Sequence, residues 1–305
     1  MERGRLMRHA AVVLFAATYA AFTCAAGAME IDTATGSVEI AQRPERIAVF
    51  DIAAIDTLDG LGVEIAGVPD NLYIDALRHI GDGTETVGTL FEPDLEALSA
   101  LAPDLVIVGG RSSAQLDSVS RVAPTVDMTL FGDDLIAKAR ARVTTYGDLF
   151  GKQDEAAGLL AELDGALASA REAVAGKGKA LILMTSGTKV TAYGAASRFG
   201  WLHRELGLPP AVEAIEVANH GEAISFEFIR EVNPDWLIVL DRAAAIGSGE
   251  QNARATLDNE LVAATNAWQK DQVVYLPAAD FYIAAGGVAS TIRVLDAITH
   301  AFSPS

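Results

Sequence analysis

The chain has 305 residues, half of them hydrophobic, and a formal charge of −18. That length exceeds one small domain and suits two lobes of about 100–150 residues each. So acidic a chain does not bind nucleic acid through a general electrostatic surface, and any anion it holds needs a local basic pocket. The N-terminus reads as a secretory signal: Arg3, Arg5 and Arg8 precede an apolar stretch from Ala10 to Ala21, and Ala26-Gly27-Ala28 is a small-residue cleavage site. The single cysteine, Cys24, lies inside this signal, and the Ala21-Phe22-Thr23 before it fits a lipoprotein signal poorly. Cleavage after Ala28 is expected to leave an exported chain without a thiol, excluding disulfides, thiolate metal sites and cysteine catalysis together.

Glu30 to Glu45 is a polar lead-in with strand-like alternation. Arg46 to Phe50 predicts an apolar strand. A helical pattern follows through Ile55, Leu58 and Leu61 to Gly60 and Gly62, and then a short strand over Glu64 to Val68. This alternation predicts α/β architecture with mostly parallel strands. Asp134 to Phe150 predicts a helix, and Asp154 to Val174 a longer one, with Leu159, Leu163, Leu167 and Val174 among its helically spaced apolar residues. Asp154 and Glu155 favour its start and Gly176 its end. With no flexible linker in sight, a stiff connection and little hinge closure are expected. Lys179 to Met184 opens the second half with a new strand. The expected division is a signal over 1–28, a lobe over 29–152, a linking helix over 153–176 and a second lobe over 177–305.

The most informative feature is an internal repeat. Glu96, Pro103-Asp104, the apolar run from Leu105 and Arg111 recur at one constant offset as Glu227, Pro234-Asp235, the apolar run from Trp236 and Arg242. In each copy a short helix carries the Glu, Pro ends that helix, a buried parallel strand follows, and an Arg stands beyond the strand's C-terminal end. Ligands of open α/β sheets sit at that edge, so two facing lobes would each present one Arg to a shared cleft.

Enzyme signatures are scarce. The chain has no phosphate-binding Gly-rich loop with Lys-Ser/Thr and no Gly-x-Ser-x-Gly elbow. An exported metal-dependent hydrolase built on His220 and scattered carboxylates is the alternative of another class, and no clustered metal motif supports it. His203 and His300 fall in helical runs and read as packing or surface residues. His79 falls in an expected loop before Gly81. His220 lies in the polar loop Ala218 to Glu222, and Tyr282 in an expected turn-rich loop before the final helix.

Arg43-Pro44-Glu45-Arg46-Ile47, Pro93-Asp94-Leu95-Glu96, Pro103-Asp104-Leu105-Val106-Ile107 and Asn233-Pro234-Asp235-Trp236 resemble the periplasmic binding proteins for iron siderophores and cobalamin. Gly110-Arg111-Ser112, Ser197-Arg198-Phe199-Gly200, Asn219-His220-Gly221, Val239-Leu240-Asp241-Arg242 and Phe281-Tyr282-Ile283-Ala284-Ala285-Gly286 are similar to the branch that binds ferric catecholates. The resemblance implies two Rossmann-like α/β lobes joined by a long rigid helix, with the ligand cleft between them. It implies a monomeric, periplasmic carrier that is not an enzyme and has no intrinsic cofactor. Its cargo would be Fe(III) as a siderophore complex, delivered to the permease subunits of an ABC importer. Carriers of haem, cobalamin or a hydroxamate siderophore are the nearer alternative. The resemblance places the anion-binding role on Arg111, Arg198 and Arg242, iron ligation on His220 and Tyr282, and transporter docking on Glu96 and Glu227.

Overall fold

The computed structural model describes residues 28–130, 134–213, 215 and 221–303. The signal reading with Cys24, and His220, fall on residues outside these. The polar lead-in forms an antiparallel hairpin of β1 (Met29–Thr33) and β2 (Gly36–Ile40). An all-parallel sheet follows, made of β3 (Ile47–Val49), β4 (Gly67–Val68), β5 (Glu85–Thr86), β6 (Leu105–Val108) and β7 (Thr125–Asp127) in the order β5-β4-β3-β6-β7. The strand expected over Glu64 to Val68 is reduced to its last two residues. Val63 N still donates to Leu58 O at 3.0 Å, so the chain is closing off the preceding helix, Ile52–Gly60, until just before the sheet begins.

The second sheet contains β8 (Ala180–Ser186), β9 (Lys189–Tyr193), β10 (Glu222–Ile224), β11 (Trp236–Asp241) and β12 (Val273–Tyr275) in the order β10-β9-β8-β11-β12. Here β8, β11 and β12 are parallel, while β9 turns back antiparallel to β8. Gly187, at a φ of +55°, makes that reversal, and a side chain there would be strained.

The sequence repeat is a repeat of bonds. The helix Leu95–Leu101 is capped by Asp94, which accepts from the N–H groups of Glu96 and Ala97. Its counterpart Phe226–Val232 is capped by Ser225, which accepts from Phe228 N. Both helices end on a left-handed residue, Ala102 at φ 48° and Asn233 at φ 45°. Asp104 then accepts from Glu45 N at 2.7 Å and Arg46 N at 3.0 Å, and Asp235 from Lys179 N at 2.9 Å. Each Pro-Asp aspartate thus fastens the chain just before the first strand of its own sheet. β6 and β11 hold the same position, beside β3 and β8 respectively.

The helix Gln153–Val174 packs on Val288–Phe302, the last helix, and on Leu135–Phe150. At 1.5 Å per residue it is about 33 Å long. Its buried residues Leu159, Leu163, Leu167 and Val174 share one apolar cluster with Ile52 and Ile107 from the first sheet's side and Ile182 and Ile238 from the second's. One continuous core therefore runs through the linking helix and leaves no soft joint beside it. Leu163 is fully buried in this cluster. Leu163→Ala is expected to lower unfolding stability by about 2–5 kcal/mol in denaturant titrations.

Candidate ligand cleft

The first sheet reverses its strand order between β3 and β6, and the crevice at their C-terminal ends is where ligands of such sheets bind. Asp51 follows β3 there, and Gly109-Gly110-Arg111 follows β6. Asp51 caps the helix Ile52–Gly60 through Ala53 N. A side chain at Gly109 would collide with the Asp51 carboxylate, so the crossing requires glycine. Ser112, buried, locks the turn by accepting from Gly109 N at 3.0 Å and donating to Phe50 O at 3.0 Å. This turn aims Arg111 out of the first lobe.

Two other segments close the cleft from the second lobe. In the turn before the helix Trp201–Leu206, Ser197 Oγ donates to Gly194 O at 2.7 Å and positions Arg198. Phe199 is buried next to it, edge-on to Tyr193 and stacked on Phe281, both at 4.7 Å between ring centroids. Phe281 adjoins Tyr282, so this aromatic stack joins the segment bearing Arg198 to the one bearing Tyr282. Tyr282 is not in a loop: it ends the short helix Ala278–Tyr282, entered through Pro277. Pro is readily accepted at a helix start, where its missing N–H costs no bond, so Pro277 opens a helix where a turn-rich loop is expected from the sequence.

The three sequence-nominated arginines meet at this tyrosine. Arg111 donates to Tyr282 O at 3.1 Å and Ile283 O at 3.3 Å, and Arg198 to Tyr282 O at 3.5 Å. Arg242, the first residue after β11, donates from Nε to the Tyr282 hydroxyl at 3.4 Å and from Nη1 to Ser186 Oγ at 3.4 Å. The Cζ atoms of Arg111 and Arg198 lie 5.0 and 5.2 Å from the Tyr282 ring centroid, within cation–π range. All four side chains are half-buried. Among the described residues, none of the three arginines forms an ion pair with a carboxylate. Burial raises the Tyr282 phenol, but the Arg242 hydrogen bond and the charges of Arg111, Arg242 and Arg198 outweigh it and bring the phenol below its ordinary value. A cavity of about 120 Å³ adjoins this group, lined by Asp51, Arg111, Thr129 and Leu130 from one lobe and Arg198, Tyr282 and Ile283 from the other.

The remaining nominated residues sit elsewhere. Glu96 and Glu227 are exposed, each in the first turn of its repeat helix. His79 lies in the short helix Arg78–Gly83 rather than in a loop, with Nε2 2.8 Å from Asp59 Oδ1. The 3₁₀ turn Asp75–Leu77 runs straight into that helix, a continuity that the Gly81 and Gly83 of the sequence obscured. His203 is buried and its Nδ1 bonds Leu208 O at 2.9 Å, a packing role. Among the described residues there is no group of three or more His, Cys, Asp or Glu side chains placed to hold a metal ion.

Sequence reasoning missed Asp51. Burial pushes its carboxyl up to about 6, against the Ala53 N–H bond and the Arg111 charge. Because this lies above the ordinary 3.8, the folded state binds more protons than the unfolded chain. The Asp51 contribution is therefore complete below about pH 4 and is lost as pH rises through about 6. Asp51→Asn keeps a capping oxygen and removes the charge. It is expected to exceed the parent in stability by about 1–2 kcal/mol above pH 7, with the difference vanishing near pH 4, in denaturant titrations across that range.

Comparison with known proteins agrees with this architecture. The sequence profile of the family described as periplasmic binding protein matches residues 47–279. The petrobactin-binding protein YclQ of Bacillus subtilis (strain 168) is 31% identical over 84% of this chain and 82% of its own. Its crystal structure superposes with a TM-score of 0.84 at 29% identity, covering 91% of this chain and 99% of that one. The ferric-anguibactin-binding protein FatB of Vibrio anguillarum (strain ATCC 68554 / 775) is 31% identical over 86% of this chain and 84% of its own. The periplasmic catecholate-siderophore-binding protein VctP of Vibrio cholerae superposes with a TM-score of 0.81 at 31% identity, over 90% of this chain and 99% of its own. Two α/β lobes on one stiff helix, with a cationic cleft between them, thus place the chain in the periplasmic binding protein family.

Proposed function

We propose that this chain captures a ferric siderophore of the catecholate type and delivers it to an ABC importer, without turnover of its cargo. The observation that carries the reading is the convergence of Arg111, Arg198 and Arg242 on Tyr282 from both lobes, with no carboxylate among the described residues pairing them. Guanidinium groups stay charged and donate in a planar fork, which suits catecholate oxygens and the negative charge of the iron complex. A neutral hydroxamate complex has no use for three such charges. The similarity to a petrobactin-binding protein, a ferric-anguibactin-binding protein and a catecholate-siderophore-binding protein supports this reading.

The proposed division of labour follows the chemistry. The lobes are 29–152 and 177–305, with 153–176 as the rigid spacer. Fe(III) is a hard ion that favours phenolate oxygen and accepts imidazole. A tetradentate bis-catecholate leaves two coordination positions on the iron, and Tyr282 with His220 would fill them. The lowered phenol of Tyr282 favours the phenolate that ligation requires. Glu96 and Glu227, one on each lobe, would dock on basic groups of the importer's permease subunits and orient the loaded protein. Export to the periplasm as a monomer completes the reading.

Trp201 lies 6.0 Å from Phe281 between centroids, beside the cleft, and supplies a binding signal. Titration with a ferric bis-catecholate, a ferric tris-catecholate, a ferric hydroxamate and haem is expected to give saturable quenching with the catecholates and tightest binding of the bis form. Arg198→Ala and Arg242→Ala are each expected to weaken that binding by about thirtyfold or more, since each removes a half-buried charge from an anion. Tight binding of haem or the hydroxamate alone would overturn the assignment of cargo. Glu96→Ala combined with Glu227→Ala is expected to abolish iron uptake in cells supplied with the siderophore while leaving the quenching titration unchanged. Normal uptake by that double variant would remove the docking role.

A further inference from the structure

The segment from Asp280 to Arg293 belongs by sequence to the second lobe, yet several of its hydrogen bonds run to the first. Val288 N donates to Thr57 Oγ1 at 3.2 Å. Ser290 donates to Asp56 twice, from its N–H and its hydroxyl, each at 2.9 Å. Arg293 Nη2 reaches Asp56 Oδ1 at 2.6 Å, while its Nε holds Asp280 Oδ1 at 2.7 Å. Asp56 is on the helix Ile52–Gly60 of the first lobe and is 1% exposed. Two glycines bring the chain there. Gly286 takes a left-handed φ of +91°, and a Cβ at Gly287 would stand 2.6 Å from Asp56 Oδ2.

This arrangement is costly as a source of stability alone. Burial of Asp56 raises its carboxyl above the ordinary range, and the Ser290 and Arg293 bonds offset that only in part. Buried ion pairs of this kind often add little to stability over apolar residues of the same volume, and they give directional bonds that apolar residues cannot. The direction here is specific. Asp280 lies on the same short helix as Tyr282, and Arg293 links that helix to Asp56 across the lobes. Arg111, also of the first lobe, holds the Tyr282 and Ile283 carbonyls.

We propose that the chain Asp56–Arg293–Asp280 is the positioning device of the cleft. It fastens the helix bearing Tyr282 to the first lobe, so that the phenol meets the iron complex at a fixed place although its backbone belongs to the second lobe. Arg293 and Asp280 are positioning residues that act through Tyr282 and touch no ligand. The inference rests on the reading that Tyr282 ligates the iron.

Asp280→Ala is the informative variant, because it removes the oxygen that accepts from Arg293 Nε, and with it the link to the Tyr282 helix, and leaves the Arg293–Asp56 pair in place. Its affinity for the ferric complex of a tetradentate bis-catecholamide would be read by tryptophan quenching, its iron charge-transfer band by visible absorption, and its folding by thermal melting. The expected result is about tenfold weaker binding with a shifted band and a melting temperature within a few degrees of the parent. Asp280→Glu, which can rebuild the bond to Arg293, is expected to restore much of both signals. Leu163→Ala, remote from the cleft, serves as the destabilised control and is expected to keep parent affinity and band below its melting temperature. If Asp280→Ala keeps the parent affinity and band while Tyr282→Phe loses the band, the positioning role is refuted and ligation by Tyr282 stands. A Tyr282→Phe variant with the parent band removes both. An Asp280→Ala variant that changes no more than Leu163→Ala does overturns the proposal as well.

Discussion

Three guanidinium groups held around one tyrosine ring repel one another, and most of the architecture can be understood as what keeps them there. A chain with a charge of −18 could neutralise each of them with a nearby carboxylate. Instead, Arg111 is held by two backbone carbonyls, Arg242 by a serine and a phenol hydroxyl, and Arg198 by a carbonyl and the faces of Tyr282 and Phe199. These partners carry no formal charge, so the positive field stays available for an anion. The price is a frame stiff enough to resist the repulsion. The continuous core through the linking helix supplies that stiffness, and so do the aromatic stack from Tyr193 to Phe281 and the buried bonds of Asp56.

The repeat is the ruler by which two of these charges are placed. Each unit fixes its strand against the sheet through an aspartate that grips the chain ahead of the first strand. Each short helix then returns through a left-handed residue into that strand, so helix and strand run in opposite directions. The first turn of the helix consequently lies toward the end at which the strand stops. Glu96 and Arg111 share one rim of the first lobe, and Glu227 and Arg242 the matching rim of the second. A permease that bound both glutamates would face the mouth of the cleft.

Much of this was legible in the sequence because it is local or repeated. The apolar spacing of Leu159, Leu163 and Leu167 announces the linking helix. The matched Pro-Asp and Arg positions announce two equivalent lobes before any coordinate is known. Contacts between distant residues were not legible. Asp56 reads as one polar residue in an apolar helix, and nothing local says that its partners are Ser290 and Arg293. Asp51 reads as an ordinary helix cap, and only the fold brings it under Arg111 and against Gly109. The antiparallel β9 escaped because a strand's direction is set by its turn, and the single Gly187 is a weak signal. His79 and Tyr282 read as loop residues because nearby glycines look like breaks, whereas Gly81 lies within one short helix, Gly83 ends it, and Gly286 lies beyond the other.

A stiff frame raises the question of how a bulky anion enters a cleft whose adjoining cavity is about 120 Å³, smaller than the several hundred Å³ usual for small-molecule sites. Hinge closure would have to break the core along the linking helix and the bonds of Asp56. Rotation of side chains breaks neither. Tyr282 shows where such freedom lies: its backbone carbonyl is held by Arg111 and Arg198, while among the described residues its ring and hydroxyl are held by cation–π contacts and one long bond from Arg242. The phenol thus stands where three cations need an electron-rich partner. A catecholate offers the same aromatic oxygen chemistry with more negative charge, so it can replace the phenol among the arginines. Under the proposed iron ligation, rotation of the Tyr282 side chain alone, with its backbone carbonyl still held by Arg111, would bring the phenol to the metal. On this view loading exchanges one aromatic oxygen ligand of the arginines for another within a fixed frame.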